Sequence, residues 1–300
     1  MNLPTVVGLG EILWDLLPSG RQLGGAPANF AYCSHLLGNR GIIASRVGND
    51  QLGKDIRERL EKAGIRDRFL QSDDSQPTGT VRVQVDSAGQ PKFEITQPAA
   101  WDYLEWTNDW QELAKSADAV CFGSLAQRSE KSRNTIVNFL KTTQPGAAVM
   151  FDVNLRQNFF SADIIRESLR HANAMKLNHE EVPIVKELLA MTEREDLRFC
   201  RSLMERFDLK LVCITRGAKG SLLCDRREVH EHAGYPVKVK NTVGAGDAFT
   251  AALIHGYLRQ WTLAEMNDSA NRMGAWVASH EGAMPESPRC GLTRALRDIG

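Results

Sequence analysis

The sequence predicts an α/β protein: a mostly parallel, twisted sheet between two layers of helices, with a small antiparallel β lid. Three observations predict it. Short, nearly continuous apolar β-rich runs alternate with amphipathic helical stretches through the middle and C-terminal parts, the pattern of a parallel sheet covered on both faces. Two segments break that alternation with short strands of their own. A glycine turn at 244–246 opens a helix whose apolar pattern follows at once in Ala248, Ala251, Ala252, Ile254 and Leu258.

The elements follow in order. Residues 5–9 make the first strand, and 11–17 continue from it after Gly8-Leu9-Gly10. Further strands are expected at 42–47, 119–122, 147–152, 174–177 and 211–215, with helices between them at 51–63, 130–141, 164–171 and 180–191. Residues 80–85 and 92–96 read as a hairpin around 86–90. In open parallel sheets ligands sit beyond the carboxyl ends of the strands. Short antiparallel strands beside that edge, drawn from about 11–23 and 78–100, would form a lid that excludes water. There is no internal repeat and no long linker, so residues 1–300 read as a single domain.

Composition narrows the function. The 300 residues carry 37 Lys+Arg against 37 Asp+Glu, and 42% are hydrophobic. Balanced charge does not support a dedicated nucleic-acid or acidic-membrane binder. No apolar run reaches the roughly 18 residues of a membrane helix. The N-terminal stretch lacks a basic region and holds Glu11 and Asp15 among its apolar residues, against a signal peptide. The six cysteines include no CxxC pair, and read as small apolar side chains in a reducing cytoplasm. His230 and His232 would share a strand face, but no third ligand lies near them in sequence.

The glycines of Asn241-Thr242-Val243-Gly244-Ala245-Gly246-Asp247-Ala248-Phe249 sit at a helix N-terminus. Amides there lack intrahelical partners and the dipole end favours negative charge. Small residues let a phosphate approach the backbone. Asp247 in the first turn is either a helix-favouring acid or a general base beside an anion hole.

Context favours the second. The string Thr242–249 resembles the signature of ribokinase-like (PfkB-type) carbohydrate kinases, and other family elements run through the chain in the expected order. Gly24-Gly25-Ala26-Pro27-Ala28-Asn29-Phe30-Ala31 resembles the family's first signature. Val47-Gly48-Asn49-Asp50-Gln51-Leu52-Gly53 is similar to its VGxDxxG element. Asp152-Val153-Asn154-Leu155-Arg156 is similar to DxNxR, and Asn178-His179-Glu180-Glu181 to NxxE. Thr215-Arg216-Gly217-Ala218-Lys219-Gly220 resembles the TxGxxG nucleotide loop, and Gly282-Ala283-Met284-Pro285 the closing GA-P segment.

The resemblance implies a ribokinase-like fold and an ATP-dependent sugar kinase using Mg²⁺. By resemblance, Asp247 takes the proton from a sugar hydroxyl while the amides of Gly244, Ala245 and Gly246 hold the phosphoryl oxygens. Such a step depends mostly on positioning and charge. Asp15, Gly25 and Asn29 match sugar-contact positions, and Arg156 would meet the sugar or a phosphate. Asn29 is also telling in itself, since Asn suits an apolar helix face poorly; its bland alternative is a solvent-facing helix residue. Asn178 and Glu181 would orient Mg²⁺ through water. Thr215 and Gly217, with Gly220 closing their loop, would approach the nucleotide, and Asn271 the adenine. Trp101 and Phe93 line the sugar pocket or else pack the lid.

One position departs from the family. Relatives that bind a monovalent cation such as K⁺ beside the anion hole use an Asp where this chain has Asn241, so the expected cation site is weakened. Two decoys fail. Gly48-x4-Gly53-Lys54-Asp55 nearly spells a P-loop, but Asp55 stands where a hydroxyl must meet Mg²⁺. Gly8-Leu9-Gly10 lacks the third glycine of a dinucleotide fingerprint, having Leu13. Within the family, Gly8-Leu9-Gly10-Glu11 with Trp14-Asp15, the 24–31 run, 151–156 and Pro98-Ala99-Ala100-Trp101 look most like fructokinases. Kinases of 2-keto-3-deoxygluconate, another ketose or a nucleoside stay open, as does a non-catalytic sugar- or nucleotide-binding regulator. The expected partners are small molecules, with a homodimer through the exposed edges of the lid.

Overall fold

The computed structural model describes residues 3–17, 20–85, 91–286 and 299, the side chains of 83–85 and 91–93 excepted. Strands β1 (Thr5–Leu9), β4 (Arg40–Gly48), β5 (Leu70–Asp73), β8 (Ala119–Phe122), β9 (Ala148–Asp152), β10 (Ala174–Asn178), β11 (Leu211–Thr215), β12 (Ser221–Asp225) and β13 (Val229–His232) form a nine-stranded sheet in the order β13-β12-β11-β10-β9-β8-β1-β4-β5. Every pairing from β5 to β11 is parallel, and β12 and β13 turn back antiparallel at one end.

The central parallel strands are apolar on both sides, because successive side chains point to opposite faces and each face is covered by helices. Val6, Ala119, Met150 and Leu211 enter one core, with helices α1 (Ala26–Leu36), α2 (Gln51–Lys62), α8 (Ala245–Tyr257) and α9 (Leu263–Ala278). Their neighbours Val7, Val120, Phe151 and Val212 enter the other. There they meet α3 (Asn108–Ser116), α4 (Glu130–Thr142), α5 (Ala162–His171), α6 (Glu181–Leu189) and α7 (Asp196–Phe207). None of the described helices is long and apolar enough to cross a membrane.

Capping explains where helix ends depart from the apolar pattern. Helix α5 starts at Ala162, before the expected 164, because Ser161 accepts the Ile164 amide and so fixes the first turn. Helix α6 stops at Leu189, short of 191, because Ala190 turns left-handed at φ 52°, the usual helix terminator.

A second, four-stranded sheet stands beyond the main one. It holds β2 (Leu13–Leu17), β3 (Gly20–Gly24), β6 (Gly79–Val85) and β7 (Pro91–Ile95) in the order β3-β2-β6-β7. It corrects the expectation of an antiparallel lid. The pairs β2–β3 and β6–β7 are antiparallel, but β2 and β6 run parallel, Trp14 opposite Thr80. The cause is topological: β2 follows β1 and β6 follows β5, two strands whose carboxyl ends share one edge, so both leave the sheet in the same direction. The expected hairpin tip at 86–90 lies outside the described residues.

The root of this sheet explains the near-P-loop string. Asp50 caps α2 by accepting the Gly53 amide at 2.8 Å, and it also accepts the amide (2.8 Å) and hydroxyl (2.7 Å) of Thr78 just before β6. Gly48 and Gly53 are small for packing: a Cβ on Gly48 would lie 2.6 Å from the Thr78 nitrogen and one on Gly53 2.1 Å from the Gly48 oxygen. The string is a joint between helix and lid, with no cradle for phosphate.

Candidate active site

The carboxyl ends of the parallel strands share one edge, and there Asp152 of β9 and Lys176 of β10 lie against the N-terminal turns of α8. Gly244 is the α8 N-cap at φ 81°, and a Cβ there would come 2.4 Å from the Ala283 side chain. Glycine is therefore required twice, by the left-handed turn and by close packing on the 282–285 segment. The Ala245 amide donates to the Thr242 carbonyl at 3.2 Å. Of the expected anion hole, that amide is therefore engaged in the turn, whereas the amides of Gly244 and Gly246, with that of Asp247 beside them, make no bond of this kind among the described residues.

Asn29 is buried on α1 and donates its Nδ2–H to Asp247 Oδ2 at 2.8 Å, across 218 residues of sequence. It is not a solvent-facing helix residue. Gly25, the α1 N-cap at φ 103°, would collide with the Glu11 carbonyl oxygen at 2.6 Å if it carried a Cβ. Asp15 lies half-buried on β2, with its carboxylate against Gly24. Arg156 is exposed, after the left-handed Asn154 at φ 41°.

Electrostatics tie these groups together. Burial pushes the Asp247 carboxyl up to about 6, and Asp152 adds to the rise; Lys176, the Asn29 hydrogen bond and Arg156 pull it back. Burial also pushes Asp15 to about 6 against Arg156. Glu11 is pushed to about 7 by burial, with amide hydrogen bonds from Glu11 and Ala26 opposing it and Asp247 reinforcing it. Its Oε2 is buried with no hydrogen-bond partner among the described residues.

Beneath α8 lies a buried charge pair. Lys176 on β10 faces its register partner Asp152 on β9, with Nζ 3.1 and 3.2 Å from the two carboxylate oxygens. Thr250 of α8 donates to Asp152 Oδ2 at 2.9 Å. Burial alone would lower the Lys176 pKa, but the carboxylates of Asp152, Glu181 and Asp247 more than offset it and keep the ammonium charged. Sequence reading missed Glu11, Asp152 and Lys176 as site residues. The signal was present: a charged side chain inside an otherwise buried strand, as in Ala174-Met175-Lys176-Leu177, is rare unless paired.

The next strand ends carry the residues read as nucleotide and metal contacts. Asn178 Oδ1 accepts the amides of Glu180 (2.9 Å) and Glu181 (3.0 Å). Glu181 is buried, and its two oxygens accept the Leu155 and Asn178 amides, each at 2.8 Å. Each oxygen keeps a further lone pair, so the residue ties β10 to the 153–156 turn while still able to face a hydrated cation. Thr215 lies beside Asn178 in register, and Gly217 (φ 58°) and Gly220 (φ 77°) shape the tight turn into β12. A Cβ on Gly220 would strike the His232 oxygen at 1.9 Å.

Several expected contacts are not open. Trp101 is fully buried; it lies 4.0 Å from the Arg128 guanidinium and fills the space that a Cβ on Gly79 would need. It packs the base of the lid and does not line a sugar pocket. The Phe93 side chain lies outside the described ones. Asn271 is buried, with its amide donated to Ser221 Oγ and the Asn267 carbonyl, both at 2.8 Å, so it cements α9 to β12 instead of facing an adenine. His230 contacts Asn267, and His232 accepts the Gly234 amide. Asn241 Oδ1 accepts the Val243 amide at 2.9 Å.

A half-buried carboxylate with a raised pKa, poised at an amide-lined helix N-terminus and held by a buried Asn, is suited to removing a proton from an alcohol beside an anion. Residues 20–290 match the family model described as pfkB family carbohydrate kinase. The chain belongs to that family, and its fold is ribokinase-like. It is 30% identical to the fructokinase of Escherichia coli, over 93% of this chain and 95% of that one. It is also similar to the structure of Vibrio cholerae O395 fructokinase in its fructose, ADP and calcium ion bound form, at 26% identity and TM-score 0.82, over 98% of this chain and 99% of that one. A sugar kinase of Pyrococcus horikoshii in complex with ATP matches at 28% identity and TM-score 0.80, over 97% and 99%.

Proposed function

We propose that the protein transfers the γ-phosphoryl group of ATP to a hydroxyl of a sugar, D-fructose giving fructose 6-phosphate. The observation that carries this reading is the Asn29–Asp247 hydrogen bond at the α8 N-terminus. It joins the sugar-side helix to the phosphate-side helix at one carboxylate. Asp247 accepts the hydroxyl proton as the sugar oxygen bonds to phosphorus and the bond from phosphorus to the ADP oxygen breaks. The amides of Gly246 and Asp247 face the phosphoryl oxygens. Asp15, Gly25, Asn29 and Arg156 surround the sugar, and Thr215, Gly217 and Gly220 lie on the nucleotide side. Glu181 and Asn178 would hold hydrated Mg²⁺, which supplies charge neutralisation to the phosphates.

Fructose is favoured over 2-keto-3-deoxygluconate, other ketoses and nucleosides by the fructokinases among the relatives. ADP release measured with Mg²⁺-ATP and fructose, ribose, glucose, ketodeoxygluconate or adenosine tests the choice. The highest kcat/KM is expected with fructose; a higher value with another acceptor reassigns the substrate. Silence from a folded, ATP-binding protein would favour the non-catalytic regulator. The outer edges of β3 and β7 would pair with a second copy, and sedimentation at rising concentration reads that dimer.

A further inference from the structure

Resting on the kinase reading above, we propose that Lys176 is a fixed positive charge that stabilises the phosphoryl group while it is in transit. Its place follows from strand register. Asp152 and Lys176 sit opposite each other near the carboxyl ends of β9 and β10, on the face that α8 covers. The ammonium is the group set against the anion hole. Within 4 Å of where a Gly246 Cβ would stand, the neighbours are Lys176 Nζ at 3.0 Å and its Cε at 3.9 Å. Glycine at 246 thus has a reason beyond admitting phosphate from above: it leaves room for an ammonium below.

A purely structural role accounts poorly for the pair. Burying two charges is costly, and well-packed apolar residues often hold such a site as well or better. The pair is instead placed where negative charge shifts onto phosphoryl oxygens, in a site shielded from water, where a preset charge acts most strongly. Asp152 orients the ammonium through both of its oxygens. Thr250 lies 2.9 Å from both Asp152 Oδ2 and the Gly246 carbonyl oxygen, fixing the pair to the helix turn it serves.

The test compares Lys176→Arg, Lys176→Gln and the double variant Lys176→Met with Asp152→Asn, which leaves no lone carboxylate buried. For each folded variant, kcat and KM are measured with Mg²⁺-ATP and the best sugar. Affinity for ADP is measured with and without aluminium fluoride, a mimic of the group in transit. The neutral variants are expected to lose about 10²- to 10³-fold in kcat, with sugar KM held within about threefold. They should bind ADP normally yet lose the tightening by aluminium fluoride, while Lys176→Arg keeps most of both. Neutral folded variants with near wild-type kcat, or a loss confined to KM, overturn the assignment. Wild-type protein silent with every sugar overturns the kinase reading instead, and the aluminium fluoride comparison then decides the role of Lys176 by itself.

Discussion

A single hydrogen bond, from Asn29 to Asp247, sets much of the chemistry. Because it favours the ionised carboxylate, it holds down a pKa that burial has raised to about 6. A base must be deprotonated to act, so kcat/KM should rise with pH through about 6 and level off above it. Asn29→Ala removes the bond and leaves burial and Asp152 to push the pKa higher. The acid limb then moves to higher pH, and the variant loses more activity at pH about 6 than at pH about 8; an unmoved limb would contradict this role. Asn241 is the second informative residue. It lacks a carboxylate charge, and its one side-chain oxygen already accepts the Val243 amide. Rates are therefore expected to be equal in potassium and in a bulky organic cation, and a strong potassium requirement would refute this. The Asn29 side was legible in sequence because an amide inside an apolar helix face needs a partner. Lys176 and Glu11 were not, because a lone charge in an apolar run does not show which distant group answers it.

Among elements, the joint between α2 and the lid bears the clearest consequence. Asp50→Ala removes the α2 N-cap and both bonds to Thr78 together. It should cost about 1–3 kcal/mol and lower Tm by several degrees, whereas Asn49→Ala, which loses one exposed contact to Asp74, should barely move it. Equal shifts would deny the joint its role. The alternation of strand and helix was readable because the central parallel strands are apolar on both faces and helices such as α2 and α5 on one. The parallel pairing of β2 with β6 was not readable, because it depends on where two distant strands leave the main sheet. The end of α6 was missed for a local reason: Ala190 adopts a left-handed turn that its residue type does not advertise.

At the scale of the whole molecule, the site is a product of topology. The parallel strands end on one edge, the N-terminus of α8 lies over β9 and β10, and α1 reaches across with Asn29. The family signatures fall on these places because each supplies a turn, a cap or a charge that the convergence needs. What sequence pattern could not supply was which aromatic and polar residues are spent on packing: Trp101 and Asn271 read as ligand contacts and serve as core. The central claim is that Asp247 is the base of sugar phosphorylation. The most direct measurement is kcat of Asp247→Asn against wild type, with Mg²⁺-ATP and fructose at pH 8, in protein shown to be folded and to bind ATP. A fall of about 10²–10⁴ with ATP affinity retained is the predicted result, and a variant within about tenfold of wild type would contradict it.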